Sequence, residues 1–178
     1  MMKSGLVKFD KFFGGLIGRL PQAIYKPFEI LCAIVRPSFW MGALGSAAAA
    51  LFMVGESSLA WASLTVLFLV PLSTVLKFIT RRQRPVSIYT EAMKVKSYSF
   101  PSSHAYSSAL AGGFIAVISS VLVGGLAAII INTLIIVLII KVGVARVYLG
   151  AHFPSDVAGG FALGVGVLLA VISLFKVI

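Results

Sequence analysis

Four stretches of this chain contain no Asp, Glu, Lys or Arg: residues 37–55, 57–76, 97–140 and 157–175. A helix that crosses a bilayer needs about 20 apolar residues, and a charge at the bilayer centre is expensive, so uninterrupted runs of this length dictate membrane-spanning helices. The rest of the composition agrees: 60% of residues are hydrophobic, 11% are charged and the mean hydropathy is +1.07. A water-soluble domain and a disordered chain are both excluded by that balance. A disulfide scaffold is excluded too, because Cys32 is the single cysteine. The predicted fold class is therefore all-α, a polytopic membrane bundle of five or six helices behind an N-terminal amphipathic segment.

The stretches 37–55 and 57–76 meet at Gly55-Glu56 and predict a helical hairpin. The stretch 97–140 is too long for one crossing, and Gly124-Gly125 falls near its middle, where a turn separates helices over 103–123 and 126–145. The last span, 157–175, carries Gly160 and Gly164 at a spacing that lets helix backbones approach closely. Residues 1–36 interleave Lys8, Asp10, Lys11, Arg19, Lys26 and Glu29 with Phe9, Phe12, Phe13, Leu16 and Phe28, the pattern of helices lying in the interface. Two units are thus expected: an interfacial lead over 1–36 and a transmembrane bundle over 37–178 that carries the active site. A sixth span over 12–35 is the alternative, and it would have to accommodate Arg19, Pro21, Lys26 and Glu29. The start shows no signal-peptide pattern.

A formal charge of +10 invites an anionic partner, and the hydropathy selects among the candidates. Nucleic acid is not expected, because the basic residues sit in short segments between apolar runs rather than on a soluble surface. A lipid bilayer and a membrane-lipid substrate are expected instead. Two histidines, His104 and His152, with no cysteine cluster predict neither a metal site nor a cofactor. With two spans between them, residues 77–100 and 146–156 lie on one face, so Lys77, Arg84, Arg146, both histidines and Asp156 converge there, while the opposite turns hold only Glu56.

Three blocks occur in order on that face: Lys77, six residues, then Arg84-Pro85; Pro101-Ser102-Ser103-His104; and Arg146, five residues, His152, three residues, Asp156. In these blocks the chain resembles the type 2 phosphatidic acid phosphatase superfamily, over roughly residues 70–165. The resemblance implies a metal-independent membrane phosphatase acting on a lipid phosphomonoester or diphosphate, such as a polyprenyl or glycerophospholipid phosphate, through a phosphohistidine. It implies His152 as nucleophile, Asp156 as the carboxylate that orients it, and His104 as general acid. Lys77, Arg84 and Arg146 would bind phosphate with help from Ser102 and Ser103. The chemistry is coherent, because fixed cations stabilise charge spread over phosphoryl oxygens, and a carboxylate on one imidazole nitrogen leaves the other lone pair free to attack. Ser103 stands where the family usually has Gly, and Ala145 where it usually has Ser.

Other polar residues on this face have plainer roles. Arg81, Arg82, Lys94 and Lys96 are expected to be interfacial anchors with no catalytic duty, and Tyr89, Tyr98, Tyr106 and Tyr148 to form an aromatic belt. Glu91 is expected to pair with one of the surplus cations. Competing functions are an anion or lipid transporter, which would not require the His152–Asp156 spacing, and a non-catalytic scaffold, which would be expected to have lost one of the motif residues. The chain is expected in the cell membrane. Fourteen of the fifteen basic residues fall on the motif face, which the positive-inside rule assigns to the cytoplasm, whereas the family resemblance favours an extracytoplasmic site.

Overall fold

In a computed structural model, which describes residues 4–94 and 96–177, the chain is a bundle of helices with no strand among the described residues. An amphipathic helix α1 (Ser4–Ile17) leads through a 3-10 turn at Gln22–Ile24 into α2 (Tyr25–Ile34) and α3 (Pro37–Met53). Pro37 at the first helical position starts α3 after a break, and the two helices meet at a bend of 47°. Next come α4 (Ser57–Leu69) and α5 (Leu72–Thr80), one span interrupted at Val70-Pro71, where proline lacks the N–H that a continuous helix would use. A short α6 (Ile88–Ala92) follows. The helix bearing His104 has three parts: α7 (Ser103–Ser107), a wide π-helical turn at Ser108–Gly112, and α8 (Gly113–Leu122). Helices α9 (Gly125–Tyr148) and α10 (Pro154–Phe175) complete the bundle.

Four helices, 57–80, 103–122, 125–148 and 154–175, are long and apolar enough to cross a membrane, and the bent α2–α3 pair makes a fifth if it is one span. The helical architecture and these apolar spans make the chain a membrane protein. The expected boundaries hold within a few residues, with one consequential shift. Lys77 and Arg146, placed in connecting segments by sequence, lie in the last turns of α5 and α9, so helix ends hold both cations.

The core runs through Leu44, Val66, Leu110, Phe114 and Val142, all fully buried. Buried polar groups are tied in pairs across it: Trp40 Nε1 donates to Ser108 Oγ at 3.1 Å, and Ser63 Oγ to the Leu44 carbonyl at 3.0 Å. Tyr106, expected in an aromatic belt, is instead fully buried and donates its hydroxyl to the Leu69 carbonyl at the α4–α5 break, 2.9 Å away. A large buried ring with a phenol needs such a partner, so Tyr106 locks α7 to α4 rather than marking an interface.

The pair Gly160 and Gly164 has a specific use. A Cβ on Gly160 would stand 2.8 Å from the Ser102 carbonyl, and one on Gly164 would stand 2.7 Å from the Tyr106 carbonyl. Only glycines let α10 approach the backbone of α7 this closely. That contact brings the histidine block of one helix beside the His152–Asp156 block that opens the other.

Candidate active site

A cavity of about 690 Å³ opens at the basic end of the bundle. Lys77, Arg84, Ser103, His104, Arg146 and His152 line it, with Ile30, Ala33 and Pro37 of the bent α2–α3 pair forming an apolar wall. Ser102 does not line it. Its side chain accepts from the Ala105 N–H as the N-cap of α7, and its own N–H donates to the Asp156 carbonyl at 3.0 Å. Asp156 lies behind His152, fully buried.

His152 sits in the tight connection between α9 and α10. Gly150 turns the chain there at φ +67, with Ser87 so close that a Cβ on Gly150 would lie 2.7 Å from its Cβ. One face of the His152 ring system is held by Arg84, whose Nη1 donates to Nε2 at 3.0 Å. A guanidinium has no lone pair to offer, so Nε2 is the acceptor and the proton is assigned to Nδ1. On that side Asp156 Oδ2 lies 3.6 Å away, beyond a direct hydrogen bond, and Ser99 Oγ lies 3.5 Å away. Ser99 in turn donates a short hydrogen bond to Asp156 Oδ2, which also accepts from the Phe153 N–H at 2.9 Å. Asp156 therefore reaches the imidazole partly through Ser99, a residue that the motif spacing did not single out.

Ser99 belongs to a three-residue strip that fixes the cations. The Ser97 carbonyl accepts from Arg84 Nε at 2.7 Å and Ser97 Oγ from Nη2 at 3.0 Å, while the Tyr98 carbonyl accepts from Lys77 Nζ at 3.0 Å. Arg84 Nη1 also donates to the Ala151 carbonyl at 2.8 Å, leaving the guanidinium no rotational freedom. The signal for this strip was the run of polar residues just ahead of Pro101, too common a pattern to stand out alone. Arg146 donates to the Tyr89 hydroxyl at 3.3 Å and lies 5.5 Å from the centre of that ring, with its Nε buried and unpartnered. Tyr89 is thus a buried support for a cation rather than a belt residue. Ala145, beside Arg146, is fully buried in a small apolar cluster with Cys32 and Leu149. His104 Nε2 lies 3.1 Å from the Cys32 carbonyl of α2, which fixes the ring at the cavity wall.

Burial first, then the charges of Arg146, Arg84, Lys77 and His104, hold the His152 imidazole well below its ordinary pKa of 6.5. Its neutral form, the one with a free lone pair, is the resting form. Burial and the neighbouring Arg146 charge also bring the Arg84 guanidinium down to about 10, with Asp156 opposing them. Uncompensated positive charge concentrated in a partly closed cavity suits a dianionic ligand. Among the described residues no three His, Cys, Asp or Glu side chains converge into a metal-binding group.

One expected anchor is not one. Arg82 turns inward, its side chain 15% exposed, with Nη1 2.6 Å from Asp156 Oδ1 and Nη2 2.7 Å from Asp10 Oδ2. Arg81, Lys94 and Lys96 are exposed, as expected. Glu91 is exposed as well and pairs with no cation among the described residues, so its expected salt bridge is absent.

Comparison with known proteins finds relatives over part of the chain and a solved structure with its fold. Phosphatidylglycerophosphatase B of Bacillus subtilis (strain 168) is 36% identical over 95 residues, which cover 52% of this chain and 46% of that protein. Decaprenylphosphoryl-5-phosphoribose phosphatase of Mycobacterium tuberculosis (strain CDC 1551 / Oshkosh) is 33% identical over 95 residues, covering 52% and 48%. The chain spans about half the length of the curated relatives it matches. The crystal structure of the first transmembrane PAP2 type phosphatidylglycerolphosphate phosphatase from Bacillus subtilis has the same fold, with a TM-score of 0.77 over 98% of this chain and 88% of that one at 24% identity. The PAP2 superfamily model matches residues 58–177, a span that contains every motif residue lining the cavity and Asp156 behind it, and the chain belongs to that superfamily.

Proposed function

We propose that the chain is an integral membrane phosphatase that hydrolyses a lipid phosphomonoester or diphosphate by way of a phosphohistidine on His152. The observation that carries this reading is the convergence on one cavity of a neutral imidazole, a second imidazole and three fixed cations, at the end of an apolar bundle. Its transmembrane location and apolar wall favour a lipid over a soluble ester. Polyprenyl phosphates and glycerophospholipid phosphates are the leading substrate classes, in keeping with the activities by which the two relatives are named.

Lys77, Arg84 and Arg146 bind the phosphoryl oxygens, with the backbone amide of Ser103 at the start of α7 as a further donor. Arg84 yields Nε2 to the incoming phosphorus as it takes up a phosphoryl oxygen. The His152 Nε2 lone pair then forms the N–P bond while the P–O bond to the lipid breaks, and the leaving oxygen takes a proton from His104 in its imidazolium form. An arriving phosphate dianion favours that form. Asp156 and Ser99 stabilise the positive charge that develops on His152 through its Nδ1–H. Water next attacks phosphorus, gives its proton to His104, and releases inorganic phosphate and neutral His152.

The test is phosphate release by the purified protein in detergent with EDTA, across a panel of polyprenyl and glycerophospholipid phosphates, with His152→Ala alongside. Release that persists in chelator and vanishes in the mutant supports the reading; release that survives the mutation, or none from any lipid, overturns it. The basic end of the bundle carries the cavity, and we assign it to the cytoplasmic face by the positive-inside rule. Labelling by a membrane-impermeant thiol reagent of a cysteine placed at Lys96, in cells with intact membranes, would contradict that assignment. Exposed Glu56 at the other end is the matching control, and native Cys32 is buried.

A further inference from the structure

Helix α1 presents an anomaly. It carries Phe9, Phe12, Phe13 and Leu16 at 38%, 67%, 38% and 54% exposure, yet the one residue it buries is Asp10, at 8%. A helix that merely anchored itself to the bundle would bury its apolar side chains, since a carboxylate is costly to desolvate without full compensation. Asp10 is compensated in full, and every group that compensates it belongs to the motif region. Oδ1 accepts from the Ser155 N–H at 2.8 Å, and Oδ2 accepts from Ser155 Oγ at 2.9 Å and from Arg82 Nη2 at 2.7 Å. The other amino group of Arg82, Nη1, donates to Asp156 Oδ1 at 2.6 Å and to Ser155 Oγ at 2.7 Å, and the guanidinium lies 4.4 Å above the Phe153 ring.

Two physical consequences follow. Helix α10 begins with Phe153 as N-cap and Pro154 at the first position, and Phe153 has no side-chain oxygen to satisfy the free N–H groups of the first turn. Asp10 supplies that oxygen from another helix, fixing the turn that carries Asp156. Arg82 also stands between two carboxylates, so the group has net negative charge beside the Nδ1–H of His152. Without Asp10 the guanidinium would bind Asp156 alone as a neutral pair and weaken its pull on that proton.

We infer that Asp10 is a positioning residue, which acts through Arg82 and Asp156 to strengthen the pull on the Nδ1–H of His152, so that α1 belongs to the catalytic apparatus although it lies outside the matched region 58–177. This inference rests on the reading of His152 as nucleophile. Supporting groups of this kind typically change rates by about 10- to 100-fold in metal sites, the best-measured analogue.

The experiment compares Asp10→Asn, Asp10→Ala and Asp10→Glu with the native chain. Asp10→Asn keeps the size and the acceptor for the Ser155 N–H but not the ion pair. It is expected to lower kcat on the order of tenfold with little change in KM, and Asp10→Glu to recover most of the loss. Ring ¹⁵N shifts of labelled histidine provide a readout independent of turnover. The chain has only two histidines, so His152→Ala assigns them. Arg84 on Nε2 keeps the proton on Nδ1 in both chains, so the expected change is in the Nδ1 signal, which should lie further downfield in the native chain than in Asp10→Asn, where the pull on that proton is weaker. Unmoved His152 shifts, or a native kcat in folded Asp10→Asn, would overturn the inference. If the native chain released no phosphate from any lipid, the functional reading would fall while the ring shifts still decided the positioning role.

Discussion

Arg84 Nη1 and His152 Nε2 are hydrogen-bonded to one another at 3.0 Å, so the lone pair assigned to attack is covered by the cation assigned to bind the substrate. Removing Arg84 should therefore move two observables in opposite directions. Arg84→Ala is expected to lower kcat/KM by about a hundredfold or more, the scale of losing one preorganised donor to a transition state. The same change should speed modification of His152 by diethyl pyrocarbonate. Arg84→Lys should behave like the alanine variant, because one ammonium cannot serve Ser97, Ala151 and His152 together. A slower reaction of His152 with the reagent in Arg84→Ala would mean that the ring is held some other way.

The burial of His152 has a pH signature. Its folded pKa lies well below the unfolded value of about 6.5, so the unfolded chain binds the extra proton first. The stability tied to the neutral imidazole is thus complete above pH 6.5 and is lost as pH falls from there toward the folded pKa. The apparent Tm in detergent should decline over that acid range, and His152→Gln should flatten the decline. A His152→Gln profile parallel to the native one would assign the acid sensitivity to other groups.

His104 can be tested through the leaving group. If it protonates the departing oxygen, His104→Ala should cost about 10²- to 10⁴-fold on an alkyl phosphate lipid, the usual range for general acid catalysis. On p-nitrophenyl phosphate, whose leaving group needs no proton, the first-turnover release of p-nitrophenol should lose much less, because His104 is then needed only for the water that follows. Equal losses in that first turnover on both substrates would make His104 a binding residue.

The close approach of α10 to α7 predicts a purely structural lesion. Gly164→Leu places a side chain against the Tyr106 carbonyl, where even a Cβ would stand at 2.7 Å, and should lower the apparent Tm and the folded yield. Overpacking costs about 1–3 kcal/mol in well-packed interiors. Gly166→Leu, with open space around the glycine, is the control that should leave both unchanged.

The spans and the three motif blocks were legible because each is a local property: apolar length in one case, fixed spacing in the other. What escaped was pairing between distant segments. Arg81 and Arg82 are adjacent and chemically identical, and only the backbone separates them. Arg81 closes α5 in the left-handed region at φ +49 and points outward, which turns its neighbour toward Asp156. Asp10 looked like one charge among many on an amphipathic lead, and its partners lie 72 and 145 residues away. Tyr89 and Tyr106 were expected at an interface because a phenol suits one, but a phenol equally suits a buried site that offers a cation or a free carbonyl. Ser99 escaped for the opposite reason, being a small residue without charge whose importance comes only from standing between Asp156 and His152.

The wide turn at Ser108–Gly112 bears on what alterations this helix could tolerate. A π-helical turn is an α-helical turn that has taken in one extra residue, and each residue in a helix shifts the angular phase by about 100°. His104 stands before the turn, facing the cavity, and Phe114 stands after it, facing the core. An unbroken α-helix of the same length would carry the phenylalanine about 100° past where it faces, whereas deleting a single alanine within the turn would restore the regular helix and leave both residues in place. The irregularity is thus a phase adjuster: it absorbs one residue so that two halves of one rod stay indexed to different targets.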